Sequence, residues 1–387
     1  MFDRLDAIPA LSPEERQILD SVRALGRNEI APRAEHYDRT AEFPWHNIHA
    51  ISALGLNAIF VPEAYGGAGL SYAAYLACVR EISKACASTG IIWATNFHAT
   101  KPLIDFGTEE QKQRLLPGVA AGALCALAIT EPDAGSDATR MTTRFTPKGD
   151  GIIVSGGKTF ITNGDVAELM LVFGKWAGIA DDRKAISALI LEKGAPGLRV
   201  LRKEDKMGHR ASSTAALAFE DCVVPRGNLL GDPGCGLPLL LAALNKSRPS
   251  VAAHALGIAR AAFEDAVLYI NERRQSGRRI VEFQGIQFML ADLATELALC
   301  EAWLWHVARL VDSGSDDFAA EASMLKMRAS DLAMRMTTEA VQLYGGYGYC
   351  KDYRVERLMR DAKITQIWEG TNQIHRQLIG RSFIDKR

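Results

Sequence analysis

A chain of 387 residues sets a prior of about two to three domains and is ample for several buried cores. With 45 Lys and Arg against 46 Asp and Glu, the formal net charge of −1 leaves no electrostatic surplus to draw the chain onto nucleic acid or anionic lipid. Hydrophobic residues make up 48% and charged residues 24%, an ordinary globular balance without low-complexity tracts, so the whole chain is expected to fold.

The amino terminus carries Asp3, Asp6, Glu14 and Glu15 among its basic residues, with no apolar signal core and no acid-poor presequence. That predicts a cytoplasmic, bacterial-type protein, or a mitochondrial-matrix one if the chain is a processed form. Ser12 followed by Glu15 reads as a capping box, and helical segments separated by short breaks such as Pro62 to Gly69 predict a helical domain over 1–122. The uncharged stretch Leu115 to Thr130 falls short of the ~20 apolar residues of a spanning helix and is broken by Pro117, Gly118 and Gly122, so no integral membrane association is expected.

Over 123–232 the texture changes to short β-branched and apolar runs. Ile152 to Val154, Leu169 to Phe173, Ile186 to Leu191 and the alternating Leu217 and Phe219 predict a small, mostly antiparallel, barrel-like β domain. Gly231 to Gly236, with Pro233 inside, marks the next boundary. From 233 to 387 long helical patterns return. Ile286, Leu290, Leu293, Leu297, Cys300 and Leu304 fall on one stripe of a helix; Leu256, Phe263, Val267 and Ile270 make a similar face, and Met324, Met327 and Met336 belong to a third helix. An antiparallel helical bundle follows, and the chain as a whole reads as α+β, mostly α. Seven cysteines, at 78, 86, 125, 222, 235, 300 and 350, form no C-x-x-C pair and predict reduced, mostly buried thiols rather than a disulfide framework or zinc ribbon.

Several familiar motifs are absent. No G-x-G-x-x-G stands between a strand and a helix, and no G-x-S-x-G elbow occurs. Gly151 with Gly157-Lys158-Thr159 misses a phosphate-binding loop by one residue, in surroundings that read as a β-turn. His46 and His49 have no third ligand, and neighbouring Trp45 suggests a packed helix start, so no metal site is expected.

Five segments carry chemistry. Thr130-Glu131-Pro132-Asp133-Ala134-Gly135-Ser136-Asp137 has the hydroxyls, turn residues and exposed amides of a loop around a polar ligand. Gly157-Lys158-Thr159-Phe160-Ile161-Thr162-Asn163-Gly164 ends a strand in polar groups beside an aromatic. Lys206-Met207-Gly208-His209-Arg210 precedes another strand. Gln342-Leu343-Tyr344-Gly345-Gly346 and Ile367-Trp368-Glu369-Gly370-Thr371-Asn372-Gln373 follow near the carboxyl terminus.

In this order the segments make the sequence resemble the acyl-CoA dehydrogenase family over essentially its full length. The resemblance implies an amino-terminal helical domain, a middle β domain, a carboxy-terminal four-helix bundle, bound FAD and a homotetramer or homodimer. It also implies that Leu127, Ile129, Thr130, Gly135 and Ser136 line the flavin with Phe160, Ile161 and Thr162, Thr130 and Thr162 bonding its heteroatoms. Arg273 and Gln284 would hold FAD phosphates and adenine across a subunit interface. Gln342, Leu343, Gly345, Gly346, Thr371 and Gln373 would complete that grip, while Ser136, Asn245, Arg248 and Gly370 would contact the acyl-CoA, with Trp368 adding bulk to the pocket wall.

The implied reaction has its own logic. Removing an α-proton from a saturated thioester needs a base shielded from water, while the β-hydrogen leaves as hydride to an electron sink. Glu369, flanked by Ile367 and Trp368 and followed by the small Gly370, fits that base and occupies the family's usual position. Some members place the base just before the arginine of Arg248-Pro249, where this chain has Ser247. Two departures stand out: Ser276 replaces a common Phe near the cofactor, and Trp368 replaces the more frequent Tyr. The segment Ile91 to Thr100 matches the floor of the acyl pocket. Trp93 would shorten it, and the absence of Arg or Lys there disfavours a second carboxylate, which predicts a short, branched or compact cyclic acyl group. Electrons would pass to an electron-transfer flavoprotein; an acyl-CoA oxidase, an enoyl-CoA reductase and a non-catalytic flavin-binding scaffold are the alternatives.

Overall fold

The computed structural model describes residues 11–384; residues 1–10, Asp3 and Asp6 among them, and 385–387 lie outside the described part. α1 (Pro13–Leu25) opens on the expected capping box, the Ser12 hydroxyl accepting from the Glu15 N–H while the Glu15 carboxylate accepts from the Ser12 N–H. α2 (Ala34–Thr40), α3 (Trp45–Ala53), α4 (Tyr72–Ala85), α5 (Ala87–Phe106) and α6 (Glu109–Ala120) follow. Ser71 caps α4, and Thr108 with Gln111 makes a second capping box on α6. Trp45 does not pack at the start of α3 as expected: it is 45% exposed and rests on Phe43 and His49, because the core face of this short helix is given by Ile48 and Ile51. His46 hydrogen-bonds Glu29, and no metal-holding cluster occurs among the described residues.

The middle sheet comprises β1 (Cys125–Ala128), β2 (Arg144–Lys148), β3 (Gly151–Thr162), β4 (Leu169–Trp176), β5 (Ile186–Glu192), β6 (Leu198–Lys203), β7 (Thr214–Pro225) and β8 (Leu229–Leu230). Its order is β6-β7-β3-β2-β4-β5-β8, with β1 beside β4. The pairings are antiparallel except β1 with β4 and β2 with β4. Inward residues of alternating strands, including Phe145, Val154, Val172, Leu189, Leu217 and Phe219, form the sheet's own core. Gly151 to Thr159 lies within the continuous strand β3, not in a turn; the turn precedes it at Gly149, and the extra glycine at 156 marks a bulge opposite β7.

α7 (Gly236–Glu272) starts at the Gly231 to Gly236 break. A hairpin of β9 (Arg274–Gln275) and β10 (Arg278–Arg279), then α8 (Gln284–Asp312), α9 (Ala319–Tyr344), α10 (Val355–Thr365) and α11 (Asn372–Ser382) complete the chain. On α8, Leu293, Leu297, Cys300 and Leu304 are buried and Ile286 and Leu290 pack against the same core. Met336 is buried, while Met324 and Met327 are half-buried. α4 and α5 pack on α7, so the two helical parts share one continuous core. A buried ion network ties that core together. Arg80 of α4 bonds Glu301 of α8 at 2.7 Å and Glu81 at 2.8 Å; Arg260 of α7 reaches Glu301 at 3.4 Å, and Lys84 meets Glu264 at 2.6 Å. Among the described residues no helix is long and apolar enough to cross a membrane, and all seven cysteines are free, five of them buried.

Candidate active site

The loop after β1 and the end of β3 make one wall of a cleft, and its attachment begins with a buried carboxylate. Glu131 accepts from Lys158 Nζ at 2.8 Å, from the Thr142 N–H and hydroxyl at 2.6 and 2.7 Å, and from the Thr143 N–H at 3.0 Å. Burial works to raise its pKa, but Lys158 and these donors prevail and hold it at about 2. With that root fixed, and the Thr159 N–H donating to the Thr130 carbonyl, Thr130, Gly135 and Ser136 face the end of β3. There Phe160 sits at φ +59°, a conformation bulky residues avoid, and the residue is 63% exposed. Asn163 pins the strand end to the helical layer by donating to the carbonyls of Ile92 and Cys125.

The opposite wall is the turn between α10 and α11. Glu369 lies at φ +52° and Gly370 at φ +94°, where a Cβ would also meet the His375 ring at 3.1 Å, so glycine is required. Thr371 caps α11 through the Ile374 N–H. This strained turn is held from α9: Lys326 Nζ donates to the Gly370 carbonyl at 2.7 Å and to Asn372 Oδ1 at 3.2 Å, while Asn372 Nδ2 donates to Asp331 at 2.7 Å and Ser330 at 2.9 Å. Burial pushes Lys326 down to about 7, with the Glu369 carboxylate opposing that shift. Beneath Gly370 lies His375, pushed by burial to about 3, with neither ring nitrogen partnered among the described residues. The half-buried Glu369 accepts one hydrogen bond, from Ser247 of α7 at 2.5 Å.

Between the walls is a cavity of about 430 Å³. Leu127, Ile129, Thr130, Gly135, Ser136 and Phe160 to Thr162 line it from the sheet side, Trp368 to Thr371 from the turn, and Ile91, Thr95, His98 and Val251 from α5 and α7. Trp93 does not line it. That side chain lies 1% exposed in the core against Tyr75, on the other side of α5 from the cleft, so the expected shortening of the pocket by Trp93 is overturned. A neighbouring cavity of about 360 Å³ shares Phe160, Thr162, Ile364, Ile367 and Trp368 and adds Lys206 to His209. Behind Trp368, His209 Nε2 meets His254 Nε2 at 2.8 Å and His254 Nδ1 meets Ser83 Oγ at 2.8 Å; burial keeps both rings neutral by pushing His254 to about 3 and His209 well down.

A third crevice of about 600 Å³ gathers Arg273, Gln342, Leu343, Gly345 and Gly346 with Ile286 and Met289. Arg273 stacks over Tyr347 there. Gln284 and Gln373 are exposed and line none of these cavities. Arg248 and Asn245 bond each other at 2.8 Å, with Arg248 buried behind the cleft wall and its Nε unpartnered among the described residues. Lys326 and His254 were missed as site residues, while His98 and His209 were covered only as members of the segments Ile91 to Thr100 and Lys206 to Arg210. Lys326 has a visible signal, a lysine on the apolar face of α9 that carries Ala322, Ala329 and Ala333.

The residues fit a flavin. The hydroxyls of Thr130, Ser136 and Thr162 line the cleft with no hydrogen-bond partner among the described residues, and so does the exposed Phe160 ring. Trp368 adds a buried indole N–H, also without a partner, between the two adjoining cavities. Unused donors and acceptors beside apolar faces suit a flat heteroaromatic ring.

Comparison with known proteins agrees with this geometry. Models of three families match in succession: acyl-CoA dehydrogenase N-terminal domain at 12–123, middle domain at 126–222 and C-terminal domain at 234–384. An acyl-CoA dehydrogenase of Bacillus subtilis is 44% identical over 373 residues, covering 96% of this chain and 98% of that one. Butyryl-CoA dehydrogenase from Megasphaera elsdenii superposes with a TM-score of 0.94 at 37% identity, covering 97% and 99% of the two chains. A chain solved in work on the electron transferring flavoprotein of Acidaminococcus fermentans and flavin-based electron bifurcation gives 0.95 at 43% identity, covering 98% and 100%.

Proposed function

The chain belongs to the acyl-CoA dehydrogenase family, whose members are FAD-dependent oxidoreductases, and from that premise we propose that it desaturates a short, branched or compact cyclic acyl-CoA between Cα and Cβ with Glu369 as the base. The observation that carries this reading is a carboxylate in the cleft wall, facing unused hydroxyls across it, with a single hydrogen bond from Ser247. FAD supplies the hydride acceptor when bound.

Ser247 donates to Oε2, so Oε1 is the oxygen we assign to the α-proton. The Glu369 N–H has no acceptor among the described residues and offers itself to the negative charge that develops on the thioester oxygen. Trp368 shields one side of the base from water, and Thr130, Ser136 and Thr162 would bond the flavin edge. Arg248, buried next to this site, adds positive potential; its pKa is depressed by burial and held up by Glu369. Arg273 and Gln342 to Gly346, which line the third crevice, would hold the outer part of the cofactor, with a second subunit completing the grip. Phe288, Leu299 and Trp303, exposed on α8, suit that self-association. Electrons leave to an electron-transfer flavoprotein, a reading supported by the Acidaminococcus likeness.

The test is anaerobic mixing of the yellow protein with a panel of acyl-CoA esters, following bleaching near the ~450 nm flavin band. Short or compact esters are expected to bleach it, and equal turnover of octanoyl and longer esters would remove the size assignment. Glu369→Gln is expected to retain flavin and lower the bleaching rate about 10²–10⁴-fold; unchanged activity would remove Glu369 as the base.

A further inference from the structure

The α5 wall of the cleft is partly polar. Ile91, Thr95 and His98 share one face of the helix and all three line the cavity that holds Glu369. His98 is 4% exposed, and its Nε2 is engaged by Ser250 Oγ at 3.0 Å, which in turn meets the Tyr75 hydroxyl at 2.9 Å. Nδ1 has no partner among the described residues and is the remaining hydrogen-bonding atom that His98 offers to the cleft. Thr95 spends its hydroxyl proton on the Ile91 carbonyl at 2.8 Å, leaving an oxygen that can still accept. Burial depresses the His98 pKa, with Glu369 opposing, so the ring presents a neutral nitrogen.

Covering such atoms with a purely hydrocarbon chain leaves them desolvated and unpaired. A carboxylate on the substrate would find no cation on this face of α5. A hydroxyl suits both atoms at once in the tautomer that carries the proton on Nδ1, because it accepts from Nδ1–H and donates to the Thr95 oxygen.

Deepening the dehydrogenase reading on which it rests, we propose that His98, with Thr95, selects acyl-CoA esters whose acyl group carries an uncharged hydroxyl beyond the β-carbon. The hydroxyl is a recognition group and takes no part in the loss of the α-proton and β-hydride.

Matched pairs test this: hexanoyl-CoA against 5-hydroxyhexanoyl-CoA, and cyclohexanecarbonyl-CoA against 4-hydroxycyclohexanecarbonyl-CoA, each mixed anaerobically with the flavin-loaded enzyme. The hydroxylated member is expected to lead its parent about tenfold in kcat/KM. In His98→Leu that ratio is expected to fall to unity or below, and in His98→Gln, which retains a donor and an acceptor, to recover in part. Calorimetric Kd values on Glu369→Gln, which binds esters with little turnover, are expected to show the same ratio. Equal handling of each pair by the wild type, or a ratio unmoved by His98→Leu, overturns the proposal while leaving the dehydrogenase reading intact. No bleaching by either member of either pair, with flavin bound, removes the dehydrogenase reading and this proposal with it.

Discussion

Two buried charged clusters in the helical layer are built from similar residues and end in opposite states. Around Arg80, cations meet carboxylates directly: Arg80 with Glu301 and Glu81, Arg260 with Glu301, and Lys84 with Glu264. Around Glu369, no cation among the described residues forms an ion pair with the carboxylate. Lys326 rests on a carbonyl and an amide oxygen, Arg248 on an amide oxygen, and Glu369 on a hydroxyl. Both clusters bear the desolvation cost of buried charge. In the first the charges cancel and fix how α4, α7 and α8 meet; in the second the charges are positioned by neutral groups and remain available to a ligand. Unmatched polarity within one fold therefore marks the site better than the presence of charge does.

The largest effect expected from this contrast is on stability. Arg80→Met removes the shared partner of Glu81 and Glu301 and leaves buried carboxylates undercompensated, a loss of about 3–5 kcal/mol. Thermal unfolding should show a marked fall in Tm, while the folded fraction bleaches at the wild-type rate. A slowed flavin reaction with unchanged Tm would break the division of roles between the clusters.

Lys326→Met should do the reverse. It leaves the Gly370 carbonyl and Asn372 Oδ1 short of a donor, about 1–3 kcal/mol of lost support for a turn held at positive φ. Removing a buried charge offsets part of that cost in the fold. The loss is expected mainly in kcat, about tenfold, with KM little changed and a smaller fall in Tm than in Arg80→Met. An intact kcat with a large fall in Tm would make Lys326 a core residue and place its cluster with the first.

What the sequence made legible divides along the same line. The α8 stripe, the capping box at Ser12 and the strands through Ile152, Leu169 and Ile186 were readable because each is a local pattern whose period names its buried face. Glu369 could be singled out because Ile367, Trp368 and Gly370, its neighbours in sequence, line the same cavity. Lys326 was not, since its partner lies 44 positions away, at Gly370. His209 and His254, 45 positions apart, meet only once the β domain and α7 pack together. Trp93 was misplaced for a different reason. α5 is buried on nearly every face and mixes apolar with polar residues all round, so periodicity carries no phase to say which residues turn toward the cleft, and the structure gives that face to Ile91, Thr95 and His98. The β-turn read around Gly151 to Thr159 failed because a glycine at a strand bulge looks like a glycine in a turn.

Asp361 gives an effect that is read only against pH and tests whether a third buried acid belongs with either cluster. Its carboxylate accepts the His209 N–H at 2.5 Å, behind the wall that carries Trp368. Burial raises its pKa from an ordinary 3.8 to about 7, against the lowering by the His209 N–H, Arg357 and Arg360 and with help from Asp38. The folded chain therefore keeps a proton that the unfolded chain gives up near 3.8. Between about pH 4 and 7 the folded state holds more protons, and this group's contribution to stability is lost as pH rises through that window, at most about 1.4 kcal/mol per pH unit. Asp361→Asn keeps a neutral acceptor for the His209 N–H and should flatten that part of the Tm against pH curve. An unchanged slope would mean that the carboxyl is already ionised in the folded state, neutralised by Arg357 and Arg360, and Asp361 would then belong with the paired charges around Arg80.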